Sequence, residues 1–488
     1  MAEPTLNEPQ SWKGHWWLPE EPDHRVAGIL TYDPGQGLHL SLIGGWEYRV
    51  MTAIGTGGYS VSGGFQQWPM ILGQVERQLV TVLDARTVKA RSNLFDAPGS
   101  PPDVLELGAN TALIGCHLDS PDEAAFVSGT ATVENLTAWL PRTSIETKVT
   151  WTKGSQATGA IEVERIEPLV ATFGDIEIKM HLLSWLPSIE TTRAATIARV
   201  KEHASIELRS PDGRALMEWI RHFSAVADLM SFSTLKACGL IAMRVYLPAT
   251  PDRYPDDYPL RDEPHKVEVY SRRHVVPQPD APAVTDLLLT PNDLPFADLL
   301  PGWLALHDQF SAARGMILGL RYVTGGYIET RVVTAVAAAE AMHRALKLGP
   351  RIPQDEFDEL KNLLMGAIPA RRKPWLSDML GRNEPTLKQR LLALAKRPGA
   401  VMEMLVPDPE TWARLAGQAR NKLAHEGSGG GGDFRQLYAI VEVTAAVVVL
   451  NMLHELGVPE DRLRRAITEH SVLSHAARLA RDELTQSG

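Results

Sequence analysis

The sequence predicts an α+β multidomain protein in which a β-rich N-terminal region, an antiparallel sheet or sandwich, precedes an all-α helical bundle. Three observations carry that prediction. Up to about residue 210, apolar and polar residues alternate in short runs broken by turn signals. From about residue 290 the apolar residues instead recur every three or four positions. Between these lies VVPQPDAPAVTDLLLTPNDLP, proline-rich and linker-like. The expected regions are therefore 1–210, 211–290 and 291–488.

In the first region the strand-like runs are VAGILTYD, LHLSLIGGW, RQLVTVLDA, ALIGCHL, ATVENLTAWL, IETKVTWTK and IEIKMHLLSW, with DPGQG, GTGG and DAPGSPPD among the separators. Trp12, Trp16 and Trp17 are expected as core or interface aromatics of this sheet. The glycine-rich IGTGGYSVSGG lacks both the lysine of a P-loop and the full dinucleotide fingerprint, so it is read as a turn.

The period changes near residue 213. In GRALMEWIRHFSAVADLMSFSTLK the residues Leu216, Trp219, Ile220, Phe223, Val226 and Met230 follow helical spacing, and LIAMRVYLP and HKVEVYSRR are extended. The third region reads as seven helical segments: PGWLALHDQFSAARGMILGL, YIETRVVTAVAAAEAMHRAL, QDEFDELKNLLMGAI, LKQRLLALAK, PDPETWARLAGQARNKLAHEG, DFRQLYAIVEVTAAVVVLNMLHEL and PEDRLRRAITEHSVLSHAARLARDEL. Asp408, Asp433 and Glu460 stand at or near helix starts, and Gly427 to Gly432 form a stop.

Composition narrows the functional classes. A chain of 488 residues, 44% of them hydrophobic, exceeds one ordinary core. Cys116 and Cys238 are far apart and have no ligand-like spacing, so neither a disulfide framework nor structural zinc is expected, nor any cofactor. No acidic cluster is spaced for magnesium, and no Ser-His-Asp order is arguable. The opening MAEPTLNEPQ is unlike a signal peptide, which leads to the expectation of a cytoplasmic protein. The apolar run VTAAVVVLNML, flanked by Glu442 and His454, is shorter than the roughly 20 residues that cross a bilayer, so it is expected as a buried helix without membrane contact.

A net charge of −10 argues against a protein that coats nucleic acid, because such proteins neutralise phosphates with a basic surface. Any nucleic-acid site must be local. The candidate basic patch is Arg371, Arg372 and Lys373 with Arg382, Lys388, Arg390, Lys396 and Arg397; a solvated helix surface balanced by neighbouring acids accounts for it equally well.

The informative stretch is AGQARNKLAHEGSGGGG, with Asn421 beside Arg420 and His425 five positions after the arginine. Metal-independent RNA cleavage needs a base for the 2′-hydroxyl proton, a cation for the phosphorane and an acid for the 5′-oxygen. Histidine titrates near neutral pH and serves as acid or base. Arginine offers a fork of donors matched to phosphate oxygens. Asn421 is placed to orient the histidine or a phosphate oxygen. On one continuous helix, residues five apart diverge by about 140°. Either the helix ends between Arg420 and His425, or a two-fold cleft takes both residues from each of two chains.

An arginine and a histidine at this spacing occur by chance roughly once in a chain this long. Arg465 and His470 in RAITEH repeat the spacing and are read as coincidence. For Arg420 and His425 the competing reading is a helix C-terminus where both cations complement the dipole.

RNKLAH after a helix, followed by a glycine-rich loop and a long apolar helix, resembles the HEPN superfamily over the last 190 residues or so. The resemblance implies Arg420 and His425 as catalytic residues, Asn421 as the polar position between them, and Glu340 in AAAEAMHR as a candidate supporting acid. A lone glutamate on such a helix is otherwise a solvated or salt-bridged residue. The N-terminal WKGHWWLPEEPDHRVAGILTYDPGQGLHLSLIGGW, with GCHLDSPDEAAFVSGTATVENLTAWL, is similar to the first domain of ApeA-type anti-phage proteins, notably at Gly14, Trp16, Trp17, Gly28, Leu30, Leu40, Gly44 and Trp139.

Together the two resemblances imply an abortive-infection effector: a β-domain that senses a phage-derived trigger, fused to a ribonuclease that cuts host RNA, with transfer RNA among the candidates; the two-fold cleft leads to the expectation of a homodimer or higher assembly. Because such a nuclease is toxic, the β-rich region is expected to restrain it until infection, with the proline-rich connection transmitting the rearrangement. The alternative is a non-catalytic HEPN-like scaffold for dimerisation, nucleotide binding or a partner protein.

Overall fold

The alternation of buried and more exposed side chains along Val26–Asp33 and Val104–Ala109 is the signature of strands with one face turned inward. The computed structural model describes residues 5–46, 49–54, 58–63, 66–91, 104–151, 157–250, 261–273, 275–281, 283–323, 325–426 and 433–485. Within these, the chain divides into two units: 1–231 with 238–285 and 296–301, and 232–237 with 286–295 and 302–488.

The first unit contains β1 (Gln10–Trp17), β2 (Val26–Asp33), β3 (Gly37–Ile43), β4 (Arg49–Ile54), β5 (Gly58–Gly63), β6 (Gln67–Val75), β7 (Gln78–Arg91), β8 (Val104–Ala109) and β9 (Thr111–Ile114). There follow β10 (Phe126–Val133), α1 (Leu136–Trp139), β11 (Ile145–Trp151), β12 (Ala157–Val163), β13 (Leu169–Phe173), β14 (Ile176–Thr191), β15 (Thr196–Arg214), α2 (Leu216–Thr234), β16 (Leu240–Leu247) and β17 (His265–Ser271).

All registered strand pairs are antiparallel, and part of the main sheet closes on itself. The ring β7-β6-β1-β2-β3-β8 returns to β7, making a six-stranded barrel. β7 is long enough to serve two neighbours: Val80–Leu83 pair with β9, and the residues from Arg86 onward pair with β8. A register shift between Thr87 and Lys89 marks an irregularity in that second pairing, and such bulges bend a strand toward closure. From β9 the sheet continues through β17, β16, β10, β15, β14 and β13.

Trp16 and Trp17 are buried, and Trp12 meets Tyr270 edge-on, so the three are packing residues. Gly73 makes room for Trp16, since a Cβ there would lie 2.3 Å from the indole. Two local expectations are corrected. ATVENLTAWL is a strand only to Val133; Asn135 takes a left-handed φ of 62°, which asparagine tolerates, and α1 follows. In IGTGGYSVSGG, Gly58–Gly63 is the strand β5, paired with β4, while residues 55–57 and 64 lie outside the described residues.

The C-terminal region is helical: α3 (Phe296–Gln309), α4 (Ser311–Tyr322), α5 (Ile328–Ala345), α6 (Gln354–Ala367), α7 (Lys373–Met379), α8 (Leu387–Lys396), α9 (Val401–Leu405), α10 (Pro409–Glu426), α11 (Phe434–Glu455), α12 (Glu460–Glu469) and α13 (Ser471–Glu483). α11 is the hub, packed by α5, α13, α10, α8, α9, α4 and α12. It is long and apolar enough to cross a membrane, yet 89% of its most apolar window is buried inside the protein, as expected of a helix apolar all round at the centre of a bundle.

Two segments expected as single helices are each two. One breaks at Phe310, the other at His470. His470 leaves helical geometry with ψ 125°, and its Nδ1 accepts the Val472 N–H at 3.2 Å, capping α13. That buried, capping role and the exposed Arg465–Glu469 ion pair agree with reading RAITEH as coincidence.

Candidate functional site

α10 begins where Asp408 accepts the Thr411 N–H at 3.0 Å and Pro409 occupies the first turn. Its inward stripe is laid down at four-residue steps. Trp412 is fully buried and donates its indole N–H to Thr444 Oγ1 of α11 at 3.2 Å; Ala416 is fully buried; Arg420 comes next. The arginine thus leaves the core at its rim, beside α5. There Glu340, next to fully buried Ala339, pairs with it, Nη2 to Oε2 3.7 Å. Arg420 Nη1 also donates to Asn421 Oδ1 at 3.2 Å.

The structure therefore brings together three of the four residues singled out in the sequence: Arg420, Asn421 and Glu340. These contacts engage Nη1 and Nη2 and leave further N–H groups of the guanidinium for an anion. The side chain of His425 lies outside the described residues, as do residues 427–432 of the glycine-rich loop.

The backbone of α10 does pass through His425 and ends at Glu426, so the alternative in which the helix stops between Arg420 and His425 is overturned. The physical reason is local, because Asn421 to Ala424 include no glycine or proline to break a helix. On this continuous helix His425 lies about 140° around from Arg420 but only about 40° from Asn421, one turn earlier. Asn421 and His425 share a face, and Arg420 occupies another.

Six of the eight cations in the candidate basic patch separate into two kinds. Lys388 on α8 is tied to Glu410 at 2.7 Å, buried Arg390 to Glu384 at 2.7 Å, and Arg397 to Glu455. These join neighbouring segments of the bundle. Arg371, Arg372 and Lys373, in the turn Ala370–Arg372 and at the start of α7, make no side-chain hydrogen bond or ion pair among the described residues, and both arginines are exposed.

A charged cluster that the sequence reading did not anticipate lies near the start of α11. Glu442 is buried, accepting from Arg321 of α4 at 3.0 Å and pairing with Arg331 of α5 at 3.4 Å. Burial holds the nearby Tyr438 hydroxyl above its ordinary pKa, and that hydroxyl lies 3.5 Å from His475 Nε2. The available signal was Glu442 as the one charged residue between Arg435 and His454, inside the most apolar stretch of the helix, where a buried carboxylate demands a cationic partner. One turn from Glu340, buried His343 has its pKa lowered by burial and then by Arg390 and Arg344. Cys116 and Cys238 are buried and are not joined in a disulfide, burial pushing Cys116 up to about 12, and no group of metal-ligating side chains occurs among the described residues.

Comparison with known families finds two matches. The family model described as ApeA N-terminal domain 1 matches residues 11–303, and that described as Apea-like HEPN matches residues 333–462. The second span includes Glu340, Arg420, Asn421 and His425. No curated protein and no solved structure matches the chain.

Proposed function

The chain belongs to the ApeA family of anti-phage HEPN effectors, and from that premise we propose that it is a metal-independent endoribonuclease that cuts host RNA when infection is sensed. The observation that carries the reading is the Glu340–Arg420–Asn421 constellation, assembled from α5 and α10 on the helix that also bears His425. HEPN domains are in general ribonucleases, which supports a nuclease role.

In the proposed reaction the 2′-hydroxyl loses its proton to a base and forms the O2′–P bond. The P–O5′ bond breaks, the 5′-oxygen takes a proton, and the products are a 2′,3′-cyclic phosphate and a 5′-hydroxyl. Arg420 stabilises charge on the non-bridging oxygens. His425 carries the proton transfers. Glu340 holds the guanidinium in register, and Asn421 links the arginine to the face that His425 occupies. Because one helix turns Arg420 and His425 about 140° apart, the site is proposed to form at a two-fold axis in a homodimer, where each face meets its counterpart. The trigger is proposed to act through the N-terminal unit, the RNA to be transfer RNA or another host RNA, and the setting to be the cytoplasm.

The same divergence of Arg420 from His425 favours a second reading, a non-catalytic HEPN-like scaffold, because a structural motif does not require the two side chains to converge. One experiment separates the two. Wild-type and His425→Ala protein are incubated with total cellular RNA in EDTA, with and without lysate from infected cells, and fragment ends are sequenced. Cleavage by wild type alone, leaving cyclic-phosphate ends, is expected; no wild-type cleavage under either condition supports the scaffold.

A further inference from the structure

Between α5 and α8 the chain makes an excursion that returns to its starting point. At its base the Arg351 N–H donates to the Asn383 carbonyl at 3.2 Å, and the Asn383 side chain donates to the Ile352 carbonyl at 2.8 Å and to Gln354 Oε1 at 3.2 Å. Within this clamp stand α6, the turn Ala370–Arg372 and α7, none of which contains a buried residue. Every other helix of eight or more residues in the C-terminal unit from α4 onward buries an apolar stripe. Here Leu363, Trp375 and Met379 are respectively 69, 63 and 68% exposed, and Phe357, Leu364 and Leu376 are only partly covered.

Three consecutive cations, Arg371, Arg372 and Lys373, precede Trp375 by two residues and have no side-chain partner among the described residues. In a chain of net charge −10, where Lys388, Arg390 and Arg397 of the same region are each tied to an acid, this is a local positive pole beside an exposed indole.

We propose that residues 351–383 form an RNA-contacting arm, in which Arg371, Arg372 and Lys373 bind phosphates of a single-stranded segment and Trp375 stacks on an unpaired base. The inference rests on the ribonuclease reading and adds to it a binding element separate from Arg420 and His425. Cations that track a backbone, interleaved with an aromatic platform, are the chemistry by which proteins hold single-stranded nucleic acid. Charge confines an anionic occupant to the Ala370–Arg372 turn and the start of α7, a site of the size of a few nucleotides rather than a surface. A helix lying on an anionic membrane carries Lys and Arg along its polar face, whereas α6 has Asp355, Glu356, Asp358 and Glu359 against one Lys361. The base of the arm starts eleven residues beyond Glu340 in the chain, so it lies no more than about 30 Å from that residue.

The test uses the full chain carrying His425→Ala, so that the probe is not cut, and follows the anisotropy of a fluorescent single-stranded oligoribonucleotide of mixed sequence from low to moderate salt. The triple variant Arg371→Gln, Arg372→Gln, Lys373→Gln is expected to bind at least tenfold more weakly at low salt. Its slope of log affinity against log salt should fall by about 2, for three lost phosphate contacts at about 0.7 each. Trp375→Ala is expected to weaken binding about fivefold or more and to leave the slope unchanged. Unchanged melting temperatures exclude unfolding as the cause.

Wild-type-like RNA binding by both variants overturns the arm, as does absence of RNA binding by the parent protein. Loss of self-association with RNA binding intact would reassign the surface to a second copy, and loss of vesicle binding alone would reassign it to a membrane. The two readings fail separately. Arm-dependent binding without cleavage by the His425-intact protein, either with or without lysate from infected cells, retires the nuclease and keeps the arm, and cleavage indifferent to both variants does the reverse.

Discussion

Arg420 on α10 and Glu340 on α5, eighty positions apart in the chain, form an ion pair in which the acid is the more buried partner, 16% exposed against 36%. A carboxylate so placed anchors the guanidinium from the protein side and leaves its outer edge toward solvent. A phosphate can approach there.

Arg420→Ala is therefore expected to lower RNA cleavage at least a hundredfold, the usual cost of removing one preorganised donor. Arg420→Lys should not restore it, because a point charge does not reproduce the fork. Glu340→Gln keeps the shape and removes the charge. It should reduce kcat about tenfold with KM nearly unchanged, and lower stability by no more than about 1 kcal/mol because the pair is partly solvated. Single-turnover kinetics beside thermal melting checks both statements.

The divergence of Arg420 and His425 on one helix makes a prediction about assembly. If each site takes its arginine and its histidine from different chains, mixing inactive Arg420→Ala with inactive His425→Ala should restore about a quarter of wild-type activity. Half the dimers are then mixed, and each mixed dimer has one complete site of two. No recovery after verified subunit exchange would place both residues of a site in one chain.

Glu442→Gln should be among the more destabilising single substitutions in the helical unit. It leaves the Arg321 and Arg331 guanidinium groups at a buried position without their shared counter-charge, at a cost of about 3 kcal/mol. Hydrogen exchange along α11, compared with wild type, reads this loss in the relevant unit.

The helical unit should also weaken in acid. Burial lowers the pKa of His343, and lowers that of His470 despite the Asp286 carboxylate beside it. The unfolded chain then binds more protons than the folded one just below the ordinary histidine pKa of about 6.5. The stability contribution is fully present above that pH and is lost as pH falls through the lowered folded values. Melting temperature measured from pH 7.5 down to 5 should decline, and His343→Gln should make the decline shallower.

In the N-terminal unit, Gly73→Ala is expected to cost about 2 kcal/mol, since its Cβ would stand 2.3 Å from the fully buried Trp16 indole. The melting transition followed by near-ultraviolet tryptophan signals reports it directly. A melting temperature equal to wild type would show that the indole can move aside.

What the sequence determined by itself is whatever depends on residues close together in the chain. Alternation marked β2 and β3, three- and four-residue spacing marked α2 and α5, and Asp408 and Asp433 announced the helices whose first N–H groups they cap. Arg420, Asn421 and His425 were legible because the motif is contiguous.

The tertiary structure decided what depends on distant partners. Closure of β7 onto β8, the meeting of Glu340 with Arg420, and the two arginines that neutralise Glu442 each join segments whose separation no local pattern encodes. It likewise sorted one run of basic residues into bundle ion pairs at Lys388, Arg390 and Arg397 and untied cations at Arg371 to Lys373. The charges are alike in the sequence; only folding determines which of them meet a carboxylate.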